Sequence, residues 1–360
     1  MKMIERLKYL IFSIILFSCS VVFFVSCSDD DGSTPSADEL KIAIAWRADT
    51  GNEFCTNIVE AFAEAGVQVV VLDQVKAPYV QYDGEKVVPA CMDSEGVGYL
   101  SNEYGQMIRN KTYQGSNVAA ALEDVDAVIF TGGEDISPTL LAAPQDWHRI
   151  VAEIDYNAAR DVSDFLTMSY CLDNDIPLMG FCRGAQMLGV VSGATIIQDI
   201  PTWFAEQGLP YEYEHRREKG EGETYRDYVP HAVSLTDGSK LADFYGATSL
   251  TGCPSWHHQA LLSTEGTPLH VTATTTVAGV TMIEGVERTD KTCAIAVQFH
   301  PEAAVVKHIG KAVNNDNADQ FMSYDSGMKL FKSFISACKN GSTDIPCGRG
   351  ENFMSTKLII

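Results

Sequence analysis

Residues 177–193, PLMGFCRGAQMLGVVSG, decide the fold of this 360-residue chain. The apolar run at 177–181 is typical of a buried strand, and a helix is predicted directly after Cys182. Gly180 and Gly184 flank Cys182 in the pattern G-x-C-x-G, which leaves room for a tight turn around a nucleophile. The stretch therefore predicts a nucleophile elbow, and the helix N-terminus after it favours the thiolate form. The alternative is a buried, inert cysteine.

Further apolar runs separated by helical patterns lie on both sides of this stretch. Strands are predicted at 41–46, 67–72 and 125–130, and helices at 52–65, with Gly66 at the C-terminal end, and at 155–174. Apolar strands that alternate with helices predict an α/β fold with a mostly parallel sheet covered on both faces. Ligands of such sheets bind at the carboxyl ends of the strands. Four more β-like runs follow between 229 and 300: HAVSL, LHVTATTT, GVTMIEGV and CAIAVQF.

The segment 73–124 interrupts this alternation and is too long for an ordinary connection between a strand and a helix. It contains five tyrosines: Tyr79, Tyr82, Tyr99, Tyr104 and Tyr113. Two interpretations are open, a surface insertion with its own small core or a lid over the active site.

The composition excludes some functions. The chain has 48 acidic and 26 basic residues, a formal net charge of -22, so a nucleic acid partner is not expected. Electrostatic binding to anionic lipid is disfavoured for the same reason. With 46% hydrophobic and 21% charged residues, the body of the chain is expected to be globular.

The N-terminal residues predict export. Residues 1–26 combine basic residues with the uncharged stretch 9–26, and Ser26 precedes Cys27, as in a lipoprotein signal peptide lipidated at Cys27. A transmembrane anchor is the alternative, since the stretch is at the lower limit for a span. Residues 27–39 contain three consecutive aspartates and resemble the acidic tether of surface lipoproteins. We therefore expect a lipid-anchored protein in the cell envelope of a Gram-negative bacterium, in contact with the membrane through its anchor.

A thiolate nucleophile needs a proton carrier for its leaving group, and His300 in AVQFHPEA (296–303) is the best candidate. It follows an apolar strand, and Pro301 biases it toward extended geometry. Residues two apart in an extended segment point the same way, so Glu302 is expected to orient the imidazole.

Acyl transfer also needs donors for the oxyanion. The backbone N–H of Arg183 directly follows the nucleophile. The second donor is expected from FTGGEDISP (130–138), where Gly132 and Gly133 allow a close approach of backbone to substrate. A simple tight turn is the alternative for this glycine pair.

Six blocks taken together resemble the class I glutamine amidotransferase-like superfamily. They are TGGEDISP, Arg160–Asp161, IPLMGFCRGAQ, SGATIIQDI, SWHHQ (255–259) and VQFHPE. Within it, the chain looks most like the gamma-glutamyl hydrolase branch that includes gamma-glutamyl-GABA hydrolase. The resemblance covers residues 40–340, with 73–124 as an insertion, and the tail 341–360 has no counterpart.

The resemblance implies a flavodoxin-like sheet, a triad of Cys182, His300 and Glu302, and an oxyanion hole from the Gly133 and Arg183 backbone. It also implies that Gly132, Gln186, His257 and His258 help to bind a glutamyl substrate. An exposed pair or a metal site is the alternative for the two histidines, but no C-x-x-C or H-E-x-x-H motif accompanies them. We therefore expect no metal and no cofactor.

The residues expected to offer a positive charge to the substrate are Arg160, Arg183 and the pair Arg216–Arg217. Cys338 and Cys347 are close enough in sequence to form a disulfide. Five other cysteines are interpreted as buried thiols: Cys55, Cys91, Cys171, Cys253 and Cys293.

Three functional hypotheses follow. The leading one is a hydrolase that cleaves gamma-glutamyl amide bonds through a thioester on Cys182. The others are a glutaminase subunit that supplies ammonia to a synthase, and a non-catalytic binding lipoprotein of the same fold. The expected partner is a small gamma-glutamyl compound, and a homodimer is compatible with the sequence.

Overall fold

A computed structural model describes residues 40–149 and 154–342. The predicted signal peptide, the lipidation site Cys27, the tether and Cys347 lie outside the described residues. None of the described helices is long and apolar enough to cross a membrane.

The described residues form thirteen strands: β1 Ile42–Ile44, β2 Val69–Val71, β3 Tyr82–Asp83, β4 Lys86–Val87, β5 Ala127–Phe130, β6 Leu178–Phe181, β7 Thr195–Ile197, β8 Val229–Leu235, β9 Ser249–Ser255, β10 Ala260–Ser263, β11 Leu269–Val277, β12 Val280–Arg288 and β13 Ala294–Val297. They also form nine α-helices: α1 Glu53–Glu64, α2 Asn102–Lys111, α3 Val118–Ala121, α4 Ala158–Asp173, α5 Arg183–Ser192, α6 Ile200–Glu206, α7 Lys240–Tyr245, α8 Pro301–His308 and α9 Tyr324–Ser342.

The central sheet has the strand order β2-β1-β5-β6-β13-β12-β11-β8-β9. The first five strands are parallel to one another, and the last four continue the sheet in antiparallel pairs. The predicted α/β fold is therefore confirmed, with helices against a sheet whose parallel half contains β6 and its elbow. The β-like runs after residue 229 form the antiparallel half.

Four of the five parallel strands, β1, β5, β6 and β13, are buried on both faces, as the continuous apolar runs predict, whereas the edge strand β2 is partly exposed. In β5, Val128 and Phe130 pack against α4 and α5, whereas Ala127 and Ile129 face α1, α8 and α9. Because successive side chains of a strand point to opposite faces, this four-residue run contributes to two cores. The two cores together hold the strands, and the site residues lie at the ends of these strands.

The segment 73–124 folds into the hairpin β3–β4 and the helices α2 and α3. Its apolar residues join the core that contains α4 and α5; examples are Val75, Val87, Leu100 and Ile108. The backbone of Leu100 is also held at both ends, by a hydrogen bond from its N–H to Ser137 Oγ (2.9 Å) and one from Thr139 Oγ1 to its carbonyl (2.6 Å). The segment is thus part of the main core on this face of the sheet.

Candidate active site

Cys182 lies between β6 and α5, where the elbow was predicted. Its φ of 50° is in the left-handed region, a conformation that costs a non-glycine residue about 1–3 kcal/mol. The flanking glycines make this turn possible: a Cβ on Gly180 would lie 2.7 Å from the backbone of Gly184, and one on Gly184 would collide with the carbonyl of Phe130. The G-x-C-x-G pattern is therefore a steric requirement of the turn.

The turn presents the thiol at the edge of the sheet. The backbone N–H of Cys182 donates to Val297 O on β13 (2.8 Å), and its Sγ lies 4.0 Å from Trp256 O. Cys182 is the residue before the first turn of α5, whose N–H groups point toward it. Only 4% of the residue is exposed, so a substrate must reach it through a defined opening.

His300 and Glu302 form a buried pair beside the elbow, with Nδ1 of His300 2.6 Å from Oε1 of Glu302. The sequence predicted this pairing for the wrong reason. β13 ends at Val297, and Pro301 begins α8, so Glu302 lies in the first turn of a helix and not in an extended segment. Proline is favoured at a first helical position because its missing N–H has no intrahelical acceptor there.

The electrostatics of His300 favour its protonated form. Burial by itself lowers the pKa of this imidazole, but Glu302 and Cys182 raise it to about 10. The ring lies between Phe54 and Tyr228, with centroid distances of 5.3 and 5.2 Å. Its Nε2 has no hydrogen-bond partner among the described residues. The ring is thus held on one side by a carboxylate and left available on the other for a proton transfer.

The two predicted oxyanion donors belong to the glycine loop and to the first residue of α5. Gly133 has a φ of +134°, which favours glycine, and it lines the same cavity as Cys182. Arg183 is the first residue of α5, so its backbone N–H has no acceptor within the helix. Gly132 has another role: a Cβ there would lie 3.0 Å from Cε1 of His300, so this glycine leaves room for the catalytic ring.

Cys182 opens into a cavity of about 250 Å³. Its lining brings together five of the predicted residues, Gly133, Cys182, Gln186, His257 and His258. His300, Glu302, Gly132 and Arg183 are not part of the lining. The remaining lining residues are Asp135, Ile154, Asp155, Arg216, Trp256 and Gln259. None of them comes from 73–124, which favours the packing role of that segment over a lid.

Three of the predicted binding residues are fixed by their own hydrogen bonds. The Gln186 amide donates to Gln259 O (2.9 Å), and the His257 Nδ1 lies 2.9 Å from the same carbonyl. His258 bridges Asp135 (2.9 Å) and Asp199 (3.0 Å). Burial lowers its pKa, but these carboxylates raise it to about 8, so His258 carries a positive charge at neutral pH.

Two of the arginines sought for the substrate carboxylate are occupied elsewhere. The side chain of Arg183 is buried against Asp161 (2.5 Å) and Asp164, and that of Arg160 pairs with Glu134. Their charges are balanced inside the protein, so the expectation that they receive substrate is wrong. Arg217 pairs with Glu223 (2.7 Å), a half-exposed contact. Arg216 is the member of this set that lines the cavity.

The sequence analysis did not identify Arg47, whose side chain donates hydrogen bonds to the loop that carries the glycine pair. Its Nη1 donates to Thr131 Oγ1 (2.9 Å) and to Gly132 O (3.2 Å), and the residue is 4% exposed. Burial and the neighbouring Arg160 lower its pKa to about 10. A signal was present, because Arg47 directly follows the apolar strand at 41–46 and strand ends carry the site in this fold.

The structure bears on the buried thiols predicted from the sequence, but not on the predicted disulfide. Cys55, Cys91, Cys171, Cys253 and Cys293 are all buried thiols. Cys338 is buried as well, and its suggested partner lies outside the described residues.

An elbow cysteine, a buried His–Glu pair and a glycine loop on a parallel sheet define a cysteine hydrolase of amide bonds with a glutamine amidotransferase-like fold. A family model described as Peptidase C26 matches residues 105–302. The chain belongs to the peptidase C26 family.

The relatives agree with this assignment. A Mycobacterium tuberculosis protein named "Putative glutamine amidotransferase Rv2859c" is 31% identical over 189 residues, which is 52% of this chain and 54% of that protein. Protein NtpR of Enterococcus hirae is 30% identical over 51% of this chain and 70% of its own length. The match thus spans about half the length of the mycobacterial relative.

Solved structures with a similar fold include a glutamine amidotransferase from Thermotoga maritima. It has 13% sequence identity and a TM-score of 0.45, and the match covers 84% of this chain and 98% of that chain. The glutaminase domain of CTPS from Trypanosoma brucei has 14% identity and a TM-score of 0.41, over 84% of this chain and 94% of that chain. At these values neither similarity bears on the substrate.

Proposed function

We propose that the chain hydrolyses gamma-glutamyl amide bonds through a thioester on Cys182. The observation that carries this proposal is the charge pattern of the cavity at Cys182. Besides Asp135 and His258, which pair with each other, it presents the carboxylate of Asp155 and the guanidinium of Arg216. A glutamyl head carries both an ammonium and a carboxylate at neutral pH, and a cavity with both signs of charge complements it.

The reaction follows from the arrangement of the triad. The thiolate of Cys182 attacks the gamma carbonyl, and the Gly133 and Arg183 N–H groups stabilise the oxyanion. The C–N bond breaks as His300 gives its Nε2 proton to the leaving amine. Water then attacks the thioester, with His300 taking a proton from it, so that glutamate leaves and the thiol is regenerated.

The leaving amine has room in a second cavity of about 410 Å³. It adjoins the first, because both are lined by Arg216, His257 and His258. Its wall combines aromatic rings with charges of both signs, from Tyr211, Tyr213, Arg217, Glu218, Lys219 and Arg226. This composition suits a polar leaving group larger than ammonia.

A substrate panel tests the proposal. Gamma-glutamyl-p-nitroanilide, gamma-glutamyl-GABA, gamma-glutamyl peptides and glutamine are compared with their alpha-linked isomers. We expect release of glutamate from the gamma-linked compounds, and no turnover in Cys182→Ala. Cys293→Ala, which removes a buried thiol outside the cavity lining, is the matched control and should keep its activity. Wild-type turnover by Cys182→Ala would sink the mechanism.

The same panel separates the alternative of a glutaminase subunit, which the name of the mycobacterial relative favours. That alternative predicts hydrolysis of glutamine in preference to every bulkier gamma-glutamyl amide. A non-catalytic binding protein would turn over no compound, and a thiol-directed alkylating probe would fail to label Cys182.

We also propose that the chain is exported and lipid-anchored in the envelope of a Gram-negative bacterium. The support is the basic, apolar and small-residue order of 1–26 followed by Cys27. Labelling of cells with a radioactive fatty acid should mark the wild-type chain and leave Cys27→Ser unmarked. Equal labelling of both would contradict the anchor.

A further inference from the structure

A second buried cluster of titratable side chains lies outside the triad. Its members come from separate parts of the chain: His215 from the connection between α6 and β8, His231 from β8, His257 from the connection between β9 and β10, and Glu284 from β12. His215 and Glu284 are fully buried, and the side chains of His231 and His257 are 9% and 2% exposed. The reaction proposed above uses none of the four as an acid, a base or a nucleophile.

Three of the four side chains converge, because the ligand atoms of His215, His231 and Glu284 all lie within 4.8 Å of one another, and His257 lies beside them. Oε1 of Glu284 lies 3.2 Å from Nε2 of His215 and 3.8 Å from Nε2 of His257, and its Oε2 lies 3.7 Å from Nε2 of His231. Two ligands that are each 2.0–2.1 Å from a tetrahedral ion lie roughly 3.3 Å apart. The separation of 3.2 Å between His215 and Glu284 matches this edge length, and the separation of 3.7 Å between His231 and Glu284 is somewhat longer.

These converging atoms have no other hydrogen-bond partners in the part of the chain that the structure describes. Nε2 of each histidine and both carboxylate oxygens of Glu284 are buried without one. A buried carboxylate without hydrogen bonds is costly, and buried charges are normally paired or bound to a metal. A cation bound between these atoms would satisfy the carboxylate and the ring nitrogens together.

The orientation of the rings leaves lone pairs for such a cation. Nδ1 of His257 lies 2.9 Å from Gln259 O, so this nitrogen carries the hydrogen and Nε2 is the free acceptor. Nδ1 of His215 lies 3.4 Å from the hydroxyl of Tyr211. Partners of this kind on the outer nitrogen are typical of histidines that bind a metal.

We propose that His215, His231 and Glu284, with His257 beside them, bind a divalent transition-metal ion, with Zn²⁺ as the ion that fits best. Imidazole nitrogens with one carboxylate are a donor set that zinc accepts in tetrahedral geometry. No short ligand motif indicates this site, because the four residues come from four separate stretches of the chain.

The ion has a structural role next to the active site. His215 belongs to the long connection from α6 to β8, and its carbonyl already accepts hydrogen bonds from Ser255 Oγ (2.8 Å) and from the His257 N–H (3.2 Å). The adjacent Arg216 lines both cavities, and its guanidinium lies 5.1 Å from the ring of Trp256. A metal bound at His215 fixes this wall of the substrate cavity to the sheet.

Metal analysis of the full chain tests the inference without any activity measurement. The protein is purified without a polyhistidine tag or chelator, stripped of metal, and titrated with Zn²⁺ or Co²⁺ against a chromophoric chelator. We expect one ion per chain, tetrahedral Co²⁺ absorption bands and a higher melting temperature. A stoichiometry near zero, or octahedral Co²⁺ spectra, would overturn the proposal.

Variants locate the ion. Glu284→Gln and His231→Asn should each weaken metal binding by at least about 10-fold, whereas His270→Asn, at a half-exposed His–Glu pair, should not. If Glu284→Gln does not fold, His215→Asn in the connecting segment takes its place. Full affinity in the folded ligand variants would overturn the proposal. So would loss of the ion in Cys182→Ala, because the ion would then belong to the nucleophile.

Discussion

Among the described residues, Glu302 and Glu284 are buried glutamates that face histidine side chains, and the two sites differ in where the proton resides. Nδ1 of His300 lies 2.6 Å from Glu302, and the pKa of this imidazole is raised to about 10. Glu284 faces three imidazoles at 3.2–3.8 Å without a hydrogen bond, and the pKa of His257 is well below its ordinary value.

Burial lowers the pKa of both rings; the neighbouring His215 lowers that of His257 further, whereas Glu302 and Cys182 raise that of His300. In the triad, Nδ1 donates to Glu302, and the charged ring is stabilised by the carboxylate and the nearby thiol. In the cluster, the outer nitrogen of His257 is engaged by a backbone carbonyl, so that its lone pair faces Glu284. The same two residue types therefore form a proton carrier in one place and a set of metal ligands in the other.

The largest effect is expected from Glu302→Gln. An amide cannot stabilise the imidazolium, so kcat/KM for a gamma-glutamyl amide should fall by about 10²–10⁴-fold while the protein remains folded. Steady-state kinetics and circular dichroism measure the two quantities. Glu60→Gln makes the same change on the surface of α1 and should leave kcat/KM unaltered. A loss below tenfold in Glu302→Gln would mean that His300 does not depend on this carboxylate.

The pH profile sharpens the comparison. Because the pKa of His300 is raised in the folded state, its charged form adds stability that is complete below pH 6.5 and lost as the pH rises through about 10. The groups that face the ring are Glu302, Cys182, Glu53 and the hydroxyl-bearing Tyr228.

We expect the alkaline limb of kcat/KM near pH 10 in the wild type, since the leaving amine needs the proton of His300. Removal of the carboxylate charge in Glu302→Gln should move the limb down by about 1–3 pH units. If the alkaline limb of kcat/KM lies at the same pH in the wild type and in Glu302→Gln, this account of His300 is contradicted.

Glu284→Gln should lower the free energy of unfolding when Zn²⁺ is bound, but not after the metal has been removed. With Zn²⁺ at 100 times its Kd, wild type gains about 2.7 kcal/mol from binding, and the variant loses most of this gain. After chelation, the variant should be equal to wild type or more stable by roughly 1 kcal/mol, because a buried unpaired charge has been removed. Urea unfolding measures both. A variant that is equally destabilised with and without metal would show that Glu284 acts only through packing.

The smallest effect is expected at the third His–Glu contact, His270–Glu287 on β11 and β12. These residues are cross-strand partners, Nδ1 of His270 lies 3.5 Å from Glu287, and the histidine side chain is 48% exposed. His270→Asn should change the free energy of unfolding by less than about 0.5 kcal/mol, since water screens an exposed pair. A change above 1 kcal/mol in the free energy of unfolding, measured with urea, would contradict the expectation that an exposed His–Glu pair contributes less than a buried one.

Local patterns predicted the parts of the fold that depend on local chemistry. The apolar runs predicted β1, β2, β5 and β6, and the glycines at 180 and 184 predicted the elbow, because periodicity and turn sterics act over a few residues. The His300–Glu302 pair was also predicted, although Pro301 starts a helix where an extended segment was expected.

What the sequence did not predict depends on long-range packing. The partners of Arg183 become visible only when α4 packs on α5 and places Asp161 and Asp164 beside it. The convergence of His215, His231 and Glu284 requires the antiparallel half of the sheet to bring β8 and β12 to one connecting segment. No spacing along the chain encodes either arrangement.

Three consecutive residues after β9 have consequences for how this enzyme can evolve. The carbonyl of Trp256 lies by the nucleophile, His257 faces Glu284, and His258 bridges Asp135 and Asp199. A one-residue deletion here would shift all three contacts at once. Divergence toward new leaving groups is therefore expected at the tyrosines and charged residues of the second cavity, where a single exchange alters selectivity and leaves the chemistry intact.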